Sequence, residues 1–331
     1  MEQVLGQECH HRICSKRNLI HESAYLTERV VMKAMILAAG LGTRLRPLTN
    51  KKPKALMPVM NKPIIGWVIE YLKKHGIDGI VVNAHHHYRQ VVDYLDGGRP
   101  FGLEIHVRVE PEILGTGGGI KNTEDFWDED PFIVINSDIL TDINLSRAYE
   151  SHKRLGGLVT LILHECEPYN QIKIDNNGFV TDISTWSGQG RFAFTGIHIM
   201  DPALLSRIPD RVFSDIIDCY RKLIQSGRSV RSLLTTGHYW RDMGTVQNYM
   251  QANRDLLSEE SFSIGPDCHI DDSTRLEEWA VIGEKTTLEE NVEIRRSILW
   301  DEVRVRKGAK VIDSVVTSFR TVDRDLIQQT Y

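Results

Sequence analysis

Unbroken apolar runs and helical apolar spacings alternate along the first three quarters of the chain. Runs of the kind found in strands buried on both faces lie at 35–37, 79–83, 131–136 and 158–164, and residues 103–109 alternate as in a half-buried strand. Apolar residues spaced three or four apart predict helices over 64–72, 88–95, 145–155, 213–225 and 246–257. This alternation predicts an α/β domain over residues 32–258, with a mostly parallel sheet covered by helices.

A different period begins at Ile264. Apolar residues recur every six positions at 264, 270, 276, 282, 288 and 294, and after a slip of one residue at 299, 305 and 311. Period six fits neither an α-helix nor a flat strand, but it is typical of hexapeptide repeats that wind three to a coil. The run is long enough for about three coils. It predicts a short left-handed β-helix over residues 262–320.

The first 31 residues are polar and irregular, and Met32 stands directly before the first predicted core strand. We expect the native chain to start at Met32, with residues 1–31 a disordered leader or the product of another start codon. Peptides from residues 1–31 in mass spectra of the native protein would contradict this expectation.

Charge and cysteine content narrow the possible partners. The net charge of −5 argues against a broad nucleic-acid surface. The five cysteines are odd in number and scattered, which suits reduced thiols in a cytoplasm. No apolar run approaches the roughly 18–20 residues of a membrane span. We therefore expect a cytoplasmic protein with neither a nucleic-acid nor a membrane partner.

The first predicted strand runs into a turn of small residues and then into a basic segment. Glycines in the turn allow a tight bend and a close approach to a ligand, and backbone N–H groups left free there can bind an anion. Between Lys33 and Ile69 there are seven Lys and Arg residues and no Asp or Glu. Because the whole chain is acidic, this local excess favours a triphosphate or pyrophosphate ligand. Leu45 rules out the dinucleotide fingerprint, which requires glycine at that position.

Several motifs together resemble the sugar-1-phosphate nucleotidylyltransferases. Gly-Leu-Gly-Thr-Arg-Leu-Arg-Pro-Leu-Thr (40–49) and Pro-Lys-Ala-Leu-Met-Pro-Val (53–59) resemble the family signature, and Leu-Gly-Thr-Gly-Gly-Gly (114–119) resembles its second nucleotide-binding segment. Asn-Ser-Asp (136–138), Thr-Gly (195–196) and Trp-Arg-Asp-Met-Gly-Thr (240–245) resemble its sugar and metal motifs. The resemblance covers nearly the whole chain after Met32. It implies a Rossmann-like, mixed and mostly parallel sheet of the nucleotide-diphospho-sugar transferase type.

The implied reaction joins a nucleoside triphosphate and a sugar 1-phosphate to give a nucleotide-sugar and pyrophosphate, with Mg²⁺ as cofactor. Because the attacking phosphate is already ionised, catalysis would consist of positioning and electrostatic stabilisation. The resemblance assigns Arg44 and Lys54 to catalysis; Ala39, Gly40, Gly42, Thr43, Glu110, Gly115, Thr116 and Gly117 to the nucleotide; Asn136, Thr195 and Gly196 to the sugar; and Asp138 and Asp242 to the metal.

Base and sugar identity are less constrained by the sequence. A carboxylate at Glu110 accepts hydrogen bonds, which suits the N–H donors of guanine and favours GTP with mannose or heptose 1-phosphate. The alternatives are uridylyl or thymidylyl transfer to another sugar 1-phosphate, and a non-catalytic regulatory subunit of the same fold. Many members carry Glu-Lys-Pro, with the lysine on the sugar phosphate, where this chain has Thr185-Trp186-Ser187. The predicted β-helix offers an edge through which the chain could form a homo-oligomer.

Overall fold

The computed structural model of the protein describes residues 32–227 and 230–331. The predicted leader over residues 1–31 therefore lies outside the described residues. Within the described ranges, none of the helices has both the length and the apolar character needed to cross a bilayer.

The helices lie close to their predicted positions. Those in the described residues are α1 (Ile64–Lys74), α2 (Tyr88–Leu95), α3 (Gly115–Lys121), α4 (Leu145–Leu155), α5 (Ile216–Gln225) and α6 (Val246–Leu257). Two differences concern the site. The apolar spacing predicts no helix over the glycine-rich run, yet that run forms α3. Helix α5 begins three residues after its predicted start because the Asp215 side chain accepts a hydrogen bond from Ile217 N and caps it there.

The α/β part of the chain is built on one nine-stranded, mostly parallel sheet. The strands of this part are β1 (Met32–Leu37), β2 (Pro58–Val59), β3 (Lys62–Pro63), β4 (Ile77–Ala84), β5 (Glu104–Val109), β6 (Phe132–Asn136), β7 (Ile139–Thr141), β8 (Val159–His164), β9 (Asn170–Ile174), β10 (Val180–Ile183), β11 (Phe192–Met200), β12 (Val230–Leu234) and β13 (Trp240–Asp242). The main path runs β10-β9-β11-β6-β1-β4-β5, with β8 paired to β11 and β12. Strands β6, β1, β4 and β5 are parallel, whereas β11 is antiparallel to β6. The predicted fold class is confirmed.

The central strands are buried on both faces, as their unbroken apolar runs predict. In β1, Ala34 and Ile36 belong to the core cluster on one face of the sheet, and Met35 belongs to the cluster on the other face. All three side chains are fully buried. Such double burial is what a parallel sheet covered by helices requires.

The C-terminal part consists of short parallel strands that stack along the chain. They are β14 (Phe262–Ile264), β15 (His269–Ile270), β16 (Arg275–Ile282), β17 (Thr287–Leu288), β18 (Glu293–Leu299), β19 (Arg304–Val305), β20 (Lys310–Ile312), β21 (Val315–Val316), β22 (Thr321–Val322) and β23 (Leu326–Ile327). Leu276 pairs with Ile294, 18 residues later, whereas Val305 pairs with Val322, 17 residues later. These parallel sheets fit the predicted left-handed β-helix, and the pairing continues to Ile327.

The β-helix packs against the segment that carries Lys54. Met57 and Val59 of that segment share a core cluster with Trp279 and Trp300 of the β-helix. The Trp300 indole N–H donates to Tyr249 Oη at 2.9 Å, in helix α6. The β-helix therefore supports the segment that follows the glycine turn after β1.

Candidate active site

Four parallel strands bring their carboxyl ends to one edge of the main sheet, and the predicted site residues lie there. These strands are β1, β4, β5 and β6. In open α/β sheets, ligands bind beyond the carboxyl ends of the strands. Two neighbouring cavities open at this edge, and their linings share Arg44, Asn136 and Asp138.

The first cavity has a volume of about 370 Å³, which lies within the range of roughly 300–1,000 Å³ that is usual for ligand pockets. Most of the predicted residues line it: Ala39, Gly40, Gly42, Thr43, Arg44, Lys54, Gly115, Thr116, Asn136 and Asp138. Gly196 and Asp242 line the second cavity. Glu110, Gly117 and Thr195 line neither of these two cavities.

The turn after β1 depends on Gly42 and leaves Gly40 open to the cavity. Gly42 has a φ of +62°, in the left-handed region, and a Cβ there would lie 2.9 Å from Thr49 Cγ2. The Thr49 hydroxyl donates to Gly42 O at 2.9 Å and fixes the turn. At Gly40, a Cβ would meet no described atom within 4 Å. A ligand can therefore approach the backbone at Gly40 closely.

The glycines of α3 make room for another part of the protein. We call residues 212–216 the clamp segment. A Cβ on Gly117 would lie 2.4 Å from Ser214 Oγ, and a Cβ on Gly118 would lie 2.6 Å from Val212 O. Gly117 N also donates to Ser214 O at 2.8 Å. Gly117, which the resemblance assigns to the nucleotide, therefore uses its backbone N–H to bond to the clamp segment.

A buried hydrogen-bond chain lies behind the wall of the first cavity. Ala38 N donates to Asn83 Oδ1 at 2.8 Å, and Asn83 Nδ2 donates to Glu110 Oε1 at 2.7 Å. Leu114 N donates to Glu110 Oε2 at 3.1 Å. Glu110 is only 1% exposed. Its carboxylate thus lies behind the cavity wall, where each of its oxygens accepts a hydrogen bond from the protein. Contact with a base edge would require the carboxylate to face the cavity instead.

Asn83 was not predicted as a site residue, although it lines the first cavity. It is the second-to-last residue of the buried strand β4, at the carboxyl edge of the sheet. A polar side chain that interrupts such a run at this edge was the available signal.

Strand pairing brings the two predicted metal aspartates together. Asp138 follows β6 and directly precedes β7, while Asp242 ends β13. The antiparallel pairing of β7 with β13 places Asp242 opposite Ile139, and Met243 N donates to Asp138 O at 3.0 Å. Two carboxylates that are far apart in the sequence therefore lie on adjacent strands.

The two carboxylates repel each other, and two nearby cations offset part of that repulsion. Burial and the negative charge of Asp138 raise the pKa of Asp242, and the cations Lys54 and Arg44 oppose that shift. Lys54 donates to Asp138 Oδ2. Among the described residues, buried Asp242 Oδ1 has no hydrogen-bond partner. A Cβ on Gly244 would lie 2.9 Å from both this oxygen and Arg44 Nη2, so Gly244 lets the two side chains approach.

These residues fit a hard divalent cation. An unsatisfied buried carboxylate oxygen beside a second carboxylate is costly unless a cation or donor compensates it. Mg²⁺ prefers carboxylate and phosphate oxygens. Asp138 and Asp242 have the donor atoms that such an ion requires, and their assignment to Mg²⁺ stays a prediction.

The second cavity has a volume of about 290 Å³. Gly196, at a φ of +78°, leaves space for Asn136, whose Nδ2 would lie 2.8 Å from a Cβ at this position. Thr195 is fully buried, and its hydroxyl donates to Ile162 O at 2.8 Å. Its backbone oxygen accepts the Trp240 indole N–H at 2.9 Å, which orients an aromatic ring that lines the cavity. Thr195 thus supports the cavity wall indirectly, by holding the Trp240 ring.

Several other residues of the second cavity were not assigned from the sequence. They are aromatic or polar side chains from β9, β11, β13, α5 and the adjoining loops: Tyr169, Gln171, Ser184, Phe194, Arg221 and Trp240. They come from five separate stretches of the chain, so no local motif joins them.

Comparison with known proteins agrees with this geometry. A family model described as nucleotidyl transferase matches residues 33–259. N-acetylmuramate α-1-phosphate uridylyltransferase from Neisseria meningitidis is 35% identical, over 67% of this chain and 96% of that protein. Mannose-1-phosphate guanylyltransferase 1 from Arabidopsis thaliana is 28% identical, over 88% of this chain and 87% of that protein.

A solved structure gives the same result for the fold. The crystal structure of HddC from Yersinia pseudotuberculosis, complexed with GMP-PN, matches with a TM-score of 0.61 and 26% identity. It covers 68% of this chain and 100% of that one. The family expected from the sequence motifs is confirmed. This chain belongs to the nucleotidyl transferase family.

Proposed function

We propose that this protein is a sugar-1-phosphate nucleotidylyltransferase that joins GTP and a mannose- or heptose-type sugar 1-phosphate to give a nucleotide-sugar and pyrophosphate. The observation that carries the proposal is the meeting of two cavities at Arg44, Asn136 and Asp138. A reaction between two anionic substrates requires two adjoining pockets with charged groups at the junction. Family membership supports the reaction class.

In this proposal the nucleotide occupies the first cavity and the sugar phosphate the second. A phosphate oxygen of the sugar attacks the α-phosphorus of the nucleotide in line with the departing pyrophosphate. Arg44 holds the β- and γ-phosphates through its planar fork and stabilises the leaving group. Lys54, a point charge beside Asp138, draws the two reacting phosphates together. No general base is needed because the attacking phosphate is already ionised.

Asp138 and Asp242 would hold Mg²⁺ at the junction of the cavities. When bound, this ion would neutralise part of the phosphate charge. Lys54 and Arg44 keep the two carboxylates close enough together for this role, since both cations favour the ionised form of Asp242.

The base and the sugar are supported by relatives. Similarity to mannose-1-phosphate guanylyltransferase 1, and to the HddC structure complexed with GMP-PN, supports GTP. A second candidate is transfer from UTP to a muramate- or glucose-type sugar 1-phosphate. It is supported by the 35% identity to N-acetylmuramate α-1-phosphate uridylyltransferase. The buried position of Glu110 favours neither base, because both carboxylate oxygens already accept hydrogen bonds.

Pyrophosphate release tests the proposal directly. Four nucleoside triphosphates are combined with the 1-phosphates of mannose, heptose, glucose and N-acetylmuramate, with Mg²⁺ present. We expect release with GTP and mannose or heptose 1-phosphate. Release with UTP or dTTP alone would retain the reaction and overturn the base assignment. Folded protein that releases no pyrophosphate with any pair would point to a regulatory subunit.

Two variants test the assigned roles, each assayed with the nucleotide and sugar 1-phosphate that the wild type uses. Arg44→Ala and Asp138→Asn are expected to lower kcat at least about a hundredfold, the usual effect of removing one group that stabilises transition-state charge. Their melting temperatures should stay near that of the wild type. Lys51→Ala is the matched control, because Lys51 is an exposed cation of the same basic segment and lines neither cavity. Unchanged turnover in Arg44→Ala would overturn its role.

A further inference from the structure

The second cavity has two cations in its lining, and they differ in their surroundings. Arg44 also lines the first cavity, at the junction with Asp138. Arg221 lines the second cavity alone. Its side chain is 34% exposed, so it can contact a bound molecule without a rearrangement of the core. Arg221 is therefore accessible to a molecule bound in the second cavity.

The Arg221 guanidinium is held on one side and free on the other. Its Nε donates to Ile183 O at 3.0 Å, and its Nη1 donates to Asp218 Oδ1 at 2.7 Å. Its Nη2 makes no hydrogen bond with any residue that the structure describes. Because the fork is planar and already fixed by two bonds, little side-chain entropy would be lost when a ligand binds to the remaining N–H groups.

The sheet order places Arg221 at the end of the cavity that is remote from Asp138. Its anchor, Ile183, lies in β10, which is three strands away from β6 along the path β10-β9-β11-β6. Three steps amount to about 14 Å at the usual spacing of neighbouring strands. Asp138 comes two residues after the end of β6. In the proposed function the sugar 1-phosphate places its phosphate at the Arg44–Asp138 junction, and its ring would then extend toward Arg221.

The same face of α5 carries a second lining residue. Ile217 and Arg221 are four positions apart, and therefore neighbours on the helix surface, and both line the cavity. The helix begins at the end of the clamp segment, so its position is tied to the wall of the first cavity. Arg221 is thus presented by a rigid element, as a specificity-determining contact requires.

The ion pair between Arg221 and Asp218 indicates which kind of ligand atom Arg221 can recognise. Asp218 already balances the guanidinium charge. A second anion would therefore gain little there, whereas neutral acceptor oxygens suit the free N–H groups. We propose that Arg221 is a substrate-binding residue that donates hydrogen bonds to hydroxyl oxygens of the sugar ring, at the end opposite the reacting phosphate. This inference rests on the proposed function and names the residue that selects the sugar.

Steady-state kinetics test the inference on the full chain, with the nucleotide and sugar 1-phosphate that the wild type turns over fastest. In Arg221→Gln, we expect KM for the sugar 1-phosphate to rise at least about tenfold, as for loss of a hydrogen bond to a charged group. KM for the nucleotide and kcat at saturating sugar 1-phosphate should stay within about twofold. A purely structural role would not separate the two KM values in this way.

Two neighbouring variants serve as controls. Lys222→Gln removes an exposed cation from the same helix that lines neither cavity. Asp218→Asn removes the negative charge beside Arg221 but keeps an oxygen that can accept from its Nη1, so the guanidinium stays in place. Both should retain the wild-type KM for the sugar 1-phosphate. If Asp218→Asn raises this KM as much as Arg221→Gln does, the effect comes from the local structure and the inference is wrong.

Deoxy-sugar 1-phosphates identify the contacted hydroxyl. One member of a series that lacks single hydroxyls should bind the wild type more weakly, yet lose no further affinity in Arg221→Gln. If every analogue loses the same factor in both proteins, Arg221 touches no hydroxyl. Pyrophosphate release by the wild type establishes the proposed function separately. An active wild type with an unchanged Arg221→Gln variant would overturn this inference alone.

Discussion

Two glycine-rich segments form walls of the first cavity, and they use their glycines in different ways. In the turn after β1, Gly40 has open space where a Cβ would project. In α3, the Cβ positions of Gly117 and Gly118 are occupied by atoms of the clamp segment, 2.4 and 2.6 Å away. The missing side chain therefore leaves open space beside the first segment, where a ligand could bind. In the second segment, the protein itself fills that space.

The contrast shows that a glycine run predicts a close approach to the backbone but does not identify the group that approaches. Both segments suggest that something approaches the backbone closely, and both do line the cavity in part. In α3 the approaching group is the clamp segment, which comes about a hundred residues later in the sequence. Nothing local to Gly117 distinguishes the clamp segment from a bound nucleotide. Substitutions in the two segments should therefore separate effects on stability from effects on binding.

The largest effect is expected where the two segments are tied together. Glu110 joins Leu114, which precedes α3, to Asn83, which in turn holds Ala38 before the first turn. Glu110→Ala would leave two buried donors without a partner and create a cavity. We expect a loss of about 3 kcal/mol in the free energy of unfolding, measured by urea denaturation.

Glu112→Ala is the matched control for this change, because Glu112 is an exposed carboxylate two residues away. It should leave the free energy of unfolding within about 0.5 kcal/mol of the wild type. If Glu110→Ala unfolds like the control while KM for one base changes, Glu110 contacts the nucleotide, as the sequence resemblance implies. That result would also restore its value for predicting the base.

A smaller loss of stability is expected for Gly118→Ala. The new Cβ would lie 2.6 Å from the backbone oxygen of Val212, so α3 and the clamp segment must move apart. Overpacking of this kind costs about 1–3 kcal/mol, and the better helix propensity of alanine offsets about 1 kcal/mol. A melting temperature several degrees below the wild type would confirm it. An unchanged melting temperature would show that the contact is not tight in solution.

Much of the fold was predictable because buried positions are apolar, and their spacing along the sequence reflects the element that buries them. The apolar runs of β1 and β6 reflect two covered faces of a sheet, and the period of six reflects stacked coils. The start of α5 was less predictable. Phe213 continues the helical spacing, yet it lies outside the helix and is 69% exposed. The capping Asp215 was the signal that placed the true start.

The site was predictable only where one motif supplies both the residue and its surroundings. Arg44, Lys54 and Asp138, which come from such motifs, all line the first cavity, and their roles stay predictions. Asn83 and Arg221 were not found from the sequence, because their positions depend on which strands and helices become neighbours. The resemblance implies the chemistry proposed for the junction, whereas only the tertiary structure shows which side chains line the second cavity.

The smallest effect on stability, and the sharpest test of the contrast, is expected for Gly40→Ala. The φ of Gly40 lies outside the left-handed region and its Cβ would meet no described atom within 4 Å. The free energy of unfolding should therefore stay within about 0.5 kcal/mol of the wild type. The methyl group would instead occupy space beside the nucleotide phosphates, so we expect KM for the nucleotide to rise about tenfold through loss of close backbone contact. Urea denaturation and pyrophosphate release measure the two quantities on one preparation, with Gly118→Ala as the matched comparison. A Gly40→Ala protein with wild-type KM would mean that the nucleotide does not approach the first turn, and the two glycine segments would then share a structural role.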